Sequence, residues 1–202
     1  VRRVSTPTDK SGKLIPPRKL HNTSWGYLCP AETPEGQSVG VVKNLSYMTH
    51  VSIHSTSDPL YTYIMPDVVD IDTLAPHEVF GKVKVFVNGN IVGVSTDPPA
   101  LYAKLKTMKH TGVINIYTSI VFDYKFKELR VCNDSGRLLR PVLRVKDNHL
   151  VLDKKTIAGL ESNDLSWEDL LTNTKMDESV IEYIDPEEQS WSLIATTPKD
   201  LI

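Results

Sequence analysis

Between Lys82 and Val94 the chain alternates polar and apolar residues with period two: Lys82-Val83-Lys84-Val85-Phe86-Val87, then Ile91-Val92-Gly93-Val94, on either side of Asn88-Gly89-Asn90. Alternation sends one face of a strand into a core, and Asn-Gly supplies the positive φ of a tight turn, so this run predicts a β-hairpin. Asp97-Pro98-Pro99 reads as a helix start with Asp as N-cap and proline in the first turn; Leu101, Leu105 and Met108 follow at helical spacing, and Gly112 ends the helix. Residues 114–123, 128–133 and 140–145 predict strands, with Ser135-Gly136 as a turn between the last two.

The flanking segments are less regular. Residues 1–22 are basic and turn-rich, with Asp9 to Lys13 as a loop tip and Pro16-Pro17 forcing an extended exit. The second half of 38–53 alternates as a half-buried strand does, although 41–48 also fits a helix. Residues 55–76, rich in Asp, Ser, Thr and Pro, form a candidate boundary. Further on, 166–171 predicts a capped helix, 180–185 a strand, Pro186-Glu187-Glu188 a turn and 192–195 a strand. The pattern predicts an α+β fold of mixed, mostly antiparallel strands with few short helices, in three segments: 1–75, 76–148 and 149–202.

Composition adds one feature. The formal net charge of -2 hides an asymmetry: residues 1–50 hold seven cations against three acids, and residues 150–202 hold four cations against twelve acids. Such a division suits two ends that meet different partners. No apolar run approaches the ~18 residues of a membrane span. Val1-Arg2-Arg3-Val4 has no apolar block behind it and no initiator Met, so a piece of a longer chain is expected. Cys29 and Cys132 form no C-x-x-C pair, which excludes a zinc ribbon and fits a reducing compartment.

Candidate chemistry gathers near the N-terminus. Arg2, Arg3, Lys10, Lys13, Arg18 and Lys19 could line a path for a phosphate backbone, or merely keep a loop solvated. Cys29-Pro30-Ala31-Glu32-Thr33-Pro34-Glu35-Gly36-Gln37 bends the backbone in a prescribed way and displays Glu32, Glu35 and Gln37. Two carboxylates three apart on such a turn match neither a glycosidase pair nor a metal site; they are expected to fix the loop through backbone N–H groups or arginines. The six histidines are scattered without ligand spacing, and Trp25, Trp167 and Trp191 sit among apolar neighbours, as core residues do. With no P-loop, dinucleotide fingerprint or nucleophile elbow, no self-contained active site is predicted.

The ordered run Arg2-Arg3-Val4-Ser5-Thr6-Pro7, Gly12-Lys13-Leu14, Pro17 to Gly26 and Cys29 to Ser46 resembles the second-largest subunit of multisubunit DNA-directed RNA polymerases. So do Val85 to Gly89, Asp134-Ser135-Gly136-Arg137 with Arg140-Pro141, and Val180 to Glu188. The resemblance implies an internal slice: the C-terminal half of the fork region with its fork loop (1–75), then a small α+β external 2 region in two parts (76–148 and the acidic 149–202). Gln37 stands where the bacterial pattern has Pro, which fits the eukaryotic, archaeal or large-DNA-virus type, and departures such as Tyr27 and Val41 leave a viral source open.

By the same resemblance, Lys10 and Lys13 would face DNA phosphates where strands separate, and Arg18 and Lys19 would lie beside the RNA–DNA hybrid. Arg2, Arg3 and Ser5 fall where bacterial enzymes form the rifamycin pocket. Glu32, Glu35 and Gln37 would belong to the active-centre wall. Catalysis would be nucleotidyl transfer with Mg2+ held mainly by the largest subunit, so this slice alone would carry no catalytic residue, metal or cofactor and would be inactive. The implied partners are the largest and smaller polymerase subunits, template DNA, the hybrid and ribonucleoside triphosphates, without a membrane. The implied location is intracellular: the nucleus, or the host cytoplasm or virion for a virus. A rival reading makes the slice a scaffold that docks other subunits or factors.

Overall fold

The computed structural model describes residues 2–172 and 179–201. In chain order its strands are β1 (Arg3–Ser5), β2 (Val42–Asn44), β3 (His50–Val51), β4 (Val68–Asp70), β5 (Val83–Val87), β6 (Asn90–Ser95), β7 (Ser119–Asp123), β8 (Glu128–Cys132), β9 (Leu138–Leu143), β10 (Val145–Lys146), β11 (His149–Leu150) and β12 (Ile181–Ile184). The helices are α1 (Asp58–Ile64), α2 (Pro76–Val79), α3 (Pro98–His110), α4 (Lys154–Glu161) and α5 (Pro186–Ser190). The α+β class with mostly antiparallel pairing is what the pattern predicts; among the described residues β5 pairs with β8 in parallel.

The central unit is a five-stranded sheet in the order β4-β6-β5-β8-β7. Its hairpin turns at Asn88 and Gly89, with φ of 49° and 83°, the two left-handed residues that a tight two-residue turn demands. Asp97 caps α3 by accepting from the Ala100 amide at 3.2 Å, and α3 lays Leu101 and Leu105 on the sheet. Val85, Val87, Ile120, Leu129 and Val131 complete that core, together with Leu60 and Ile64 from α1. Each fully buried side chain of this size contributes about 1.5–3 kcal/mol. Because α1 packs into this core and β4 pairs with β6, the sheet draws on residues upstream of 76.

A second, three-stranded sheet runs β12-β9-β3, and β1 pairs with β2. No helix covers 41–48; that segment is β2, a bridge from Leu45 to Leu28 and a turn that leads toward β3. The expected helix at 166–171 is a single 3-10 turn over Glu168–Leu170, and residues 192–195 form no strand. Pro186 opens a short helix where a turn was expected, while α4 and the β10–β11 hairpin were not anticipated. The tryptophans also depart from expectation, since Trp25, Trp167 and Trp191 are 70%, 50% and 37% exposed.

The downstream motifs turn out to be joints. Asn133 donates to the carbonyl of Thr56 at 3.0 Å and accepts from Asn88 at 2.7 Å and Ser57 at 3.0 Å, tying the loop before α1 to the sheet. Arg137 donates to the Tyr117 carbonyl at 2.9 Å and pairs with Asp134 at 2.8 Å and Asp185 at 3.4 Å. Asp185 in turn caps α5 through the Glu188 amide at 2.7 Å. These contacts assign Asp134, Arg137 and Asp185 to holding the two sheets together.

Candidate nucleic-acid interface

The basic N-terminal segment owes its shape to one guanidinium. Arg18 donates from Nη1 to the carbonyls of Gln37 (2.6 Å) and Val39 (3.1 Å), and from Nη2 to those of Lys10 (3.0 Å) and Gly12 (2.8 Å). A planar fork suits this task, because its donors diverge toward two loops at once. Close approach is also required on the backbone side. A Cβ on Gly40, whose φ is +71°, would lie 2.2 Å from the Arg18 carbonyl oxygen, so only glycine fits there. Thr33 closes the proline-rich turn, donating to the Val42 carbonyl at 3.0 Å and accepting from the Gly40 amide at 2.8 Å.

The sequence-derived site residues fall into two groups. Arg2 and Arg18 are latches: Arg2 donates to the carbonyls of Ser46, Tyr47 (3.3 Å) and Thr49 (3.2 Å). Arg3, Lys10, Lys13 and Lys19 are exposed, and their side chains make no hydrogen bond or ion pair among the described residues. Ser5 is exposed in β1. Glu32, Glu35 and Gln37 are exposed as well. The expectation that the two carboxylates fix the loop is not met: Glu35 precedes the 3-10 turn at Gly36–Ser38 without capping it, and Glu32 contributes its backbone carbonyl, which accepts from Asn44 at 3.1 Å. Thr33, Asn44 and Arg18 do the fixing, which leaves both carboxylates free at the surface. Since Arg18 holds the carbonyls of Lys10 and Gly12 together with that of Gln37, the lysine loop and the Glu35–Gln37 turn are neighbours.

The segment is anchored by Tyr27, which sequence reasoning noted only as a departure from a pattern. Tyr27 is 1% exposed, lies under the Arg140 guanidinium at 5.8 Å and donates to the Ile184 carbonyl at 3.0 Å. Burial pushes its phenol well above the ordinary range despite Arg140, so it stays a donor. Gln189 bridges Arg140 (2.7 Å) to the Trp25 carbonyl (3.2 Å), so the basic segment is seated on α5 and β12.

Beneath that seat lies a buried charge cluster. Lys109 contacts Glu182 (3.1 Å), Glu188 (3.2 Å) and the Tyr183 carbonyl (2.8 Å); Lys106 contacts Glu182 (2.6 Å) and Glu188; His110 contacts Glu182 (3.0 Å). A signal existed in the sequence: Lys109 follows Leu101 and Leu105 at four-residue spacing, which puts an ammonium on the apolar stripe of α3. Burial alone would raise the Glu182 pKa, but the His110 hydrogen bond and the Lys109 and Lys106 ammoniums outweigh it and hold the carboxyl well below the usual range. Lys106 is held above its usual range, because Glu188 and Glu182 outweigh burial. The more enclosed Glu188 is pushed upward by burial.

A lowered carboxylate contributes stability that is full above its unfolded pKa and lost as pH falls; a raised ammonium contributes stability that is full below its unfolded pKa and lost as pH rises through the folded one. The Glu182 and Lys106 contributions should therefore be complete from about pH 4.3 to about pH 10.4 and decline outside that window. Replacing Glu182 by Gln should shrink the loss of stability below about pH 4.3, read from denaturation midpoints across an acid series. An acid limb identical in both proteins would contradict this account.

No group of three or more His, Cys, Asp or Glu side chains comes together as metal ligands among the described residues. The geometry is that of a rigid scaffold carrying a clamped loop of free cations beside free carboxylates. Residues 1–51 match the family RNA polymerase Rpb2, domain 3, and residues 85–146 match RNA polymerase Rpb2, domain 4. Over its whole length the chain is 43% identical to DNA-directed RNA polymerase II subunit RPB2 of Encephalitozoon cuniculi and 36% identical to DNA-directed RNA polymerase II subunit 2 of Arabidopsis thaliana. Over 98% of its length it is 35% identical to DNA-directed RNA polymerase subunit 2 of Acanthamoeba polyphaga mimivirus. The chain spans 17% of the length of the first two relatives and 16% of the third. It belongs to the family of second-largest subunits of DNA-directed RNA polymerases, as a segment that covers part of the subunit.

Proposed function

We propose that the protein takes part in template-dependent RNA synthesis, and that residues 2–46 line the cleft that holds its nucleic acid. The observation that carries this reading is the set of free cations: Lys10 and Lys13 on the loop that Arg18 clamps, Lys19 next to Arg18, and Arg3 in β1. Ordered, unpaired ammoniums release counterions when they meet phosphates, which gives affinity without sequence preference. Glu35 and Gln37, on the neighbouring turn, would orient a basic group of the active centre. Two-metal phosphoryl transfer would be performed by residues outside this segment, with magnesium ions held mainly by the largest subunit; the segment's part is positioning and electrostatics.

Exposed apolar residues favour a second, concurrent role. Leu14, Ile15, Leu20 and Trp25 are 64%, 64%, 59% and 70% exposed on the same basic segment, and Tyr47 just beyond it is 92% exposed, an apolar surface suited to docking other parts of a polymerase assembly. The two roles separate experimentally in the assembled enzyme. Substituting Lys10 and Lys13 by Ala should reduce the slope of log affinity against log salt by about 0.7–0.9 per lost phosphate contact, and a crosslinker placed at position 13 should label nucleic acid. An unchanged slope together with crosslinks to protein alone would leave docking as the segment's role.

A further inference from the structure

One end of the five-stranded sheet carries a patch unrelated to the clamped loop. The parallel pairing of β5 with β8 sets Lys84 opposite Glu128, so the residues leading into β5 (Phe80, Gly81, Lys82) lie beside the β7–β8 turn (Tyr124, Lys125, Phe126, Lys127). Lys127 donates to the Gly81 carbonyl at 3.0 Å, and the Lys84 amide donates to the Lys127 carbonyl at 3.0 Å, which fixes these two stretches of backbone side by side. Phe80, Tyr124 and Phe126 are 90%, 72% and 67% exposed. Lys82, Lys84, Lys125 and Lys127 are exposed too, and none forms an ion pair among the described residues.

The carboxylates that could neutralise those lysines are engaged elsewhere. Asp123, Glu128 and Glu187 converge on Arg130 at 3.3, 3.1 and 2.8 Å, and Glu78 accepts from the Ala75 amide at 2.9 Å. Asp123 also accepts from the Lys125 and Phe126 amides at 3.0 and 2.9 Å, so the turn that displays the rings is held in place. The Tyr124 ring meets Trp191 edge-on at 5.1 Å between centroids, and the Lys125 ammonium lies 5.7 Å from the Phe126 centroid. Pre-set aromatic side chains lose little freedom on binding, and three exposed rings with four lysines that form no ion pair among the described residues are more than a solvated turn requires.

We infer that this end of the sheet is a docking site for a short acidic peptide segment with apolar anchors. Complementary charge argues for the acids, and the exposed rings for the anchors. A nucleic-acid strand fits less well. Both Tyr124 and Phe126 already have a contact on their rings, and the nearby Arg130, the side chain best suited to phosphate, is taken by three carboxylates. The site is independent of the polymerase reading.

The test is fluorescence anisotropy on the intact protein, with three labelled probes of equal length: a peptide alternating Asp/Glu with Phe/Leu, the same peptide with each acid replaced by its amide, and a single-stranded oligouridylate. The acidic peptide should bind saturably and weaken with salt. Its affinity should fall about tenfold or more in the Tyr124→Ser/Phe126→Ser variant and by a similar factor in Lys82→Glu/Lys125→Glu. All four side chains are exposed, so both variants should keep the parent thermal midpoint, which confirms that a loss is local. The inference is overturned by absence of saturable peptide binding, by equal binding of the amide peptide, by oligouridylate binding that the Tyr124→Ser/Phe126→Ser substitutions weaken, or by peptide affinities the substitutions leave unchanged.

Discussion

Replacing Glu188 by Ala should cost about 3–5 kcal/mol of stability, and Lys109→Met a similar amount. The side chains of Lys109 and Glu188 are 1% and 3% exposed, so neither charge can recover hydration when its partner is removed. Without Glu188, two ammoniums share the single carboxylate of Glu182; without Lys109, two carboxylates share Lys106 and the Tyr183 carbonyl loses its donor. Removing Lys109 and Glu188 together, as Met and Leu, should recover most of the loss, because a well-packed apolar pair also avoids the desolvation cost. A double-mutant cycle on denaturant midpoints, or on hydrogen-exchange protection of the α3 amides, measures the coupling. Single variants that each lose less than about 1 kcal/mol would show that the cluster is wetter than its burial implies.

Arg18→Ala should release both N-terminal loops together. Four carbonyls lose charged donors at once, and for a partly exposed site the net loss is about 2–3 kcal/mol of local stability. Hydrogen exchange at the amides of Ser11, Val39 and Gly40 should then accelerate roughly 30–150-fold, with little change in the β5–β8 sheet. Arg18→Lys should restore little of this, since one ammonium cannot reach the carbonyls of two loops in a plane. If only one loop loosens, the two are not coupled through this side chain. The consequence for function is specific: on the proposed reading Lys10, Lys13, Glu35 and Gln37 would be displaced together, although none of them is altered.

The hairpin around Asn88-Gly89, the helix begun by Asp97-Pro98-Pro99 and the strand before Asp185 were legible because each has a local cause: alternation, a cap, a turn residue with positive φ. Residues 166–171 show where local causes fall short. Ser166 and Asp169 do form a reciprocal cap, with the Ser166 amide donating to Asp169 at 2.8 Å, but the helix they start ends within one 3-10 turn and buries Leu170 and Leu171 in a small satellite core. The tryptophans mislead for a related reason, because an apolar neighbourhood in sequence does not specify a side of the fold.

The candidate site divides along the same line. The N-terminal cations and the bent turn of Glu32 and Glu35 were visible in the sequence, and residue type alone marked them as surface groups able to meet phosphates or a charged centre. Sequence could not separate Arg2 and Arg18, which serve backbone carbonyls, from Arg3, Lys10, Lys13 and Lys19, which remain free; that depends on which carbonyls the fold brings within reach. Nor could it join Lys106 and Lys109 to Glu182 and Glu188, more than seventy positions away. Local pattern therefore determined the hairpin, α3 and the strand before Asp185, through torsional preference and hydrophobic period, and the ordered run of motifs carried the resemblance to the family. Tertiary packing decided which charges are structural and which are left for a partner, because hydrogen bonds and desolvation act on neighbours in space.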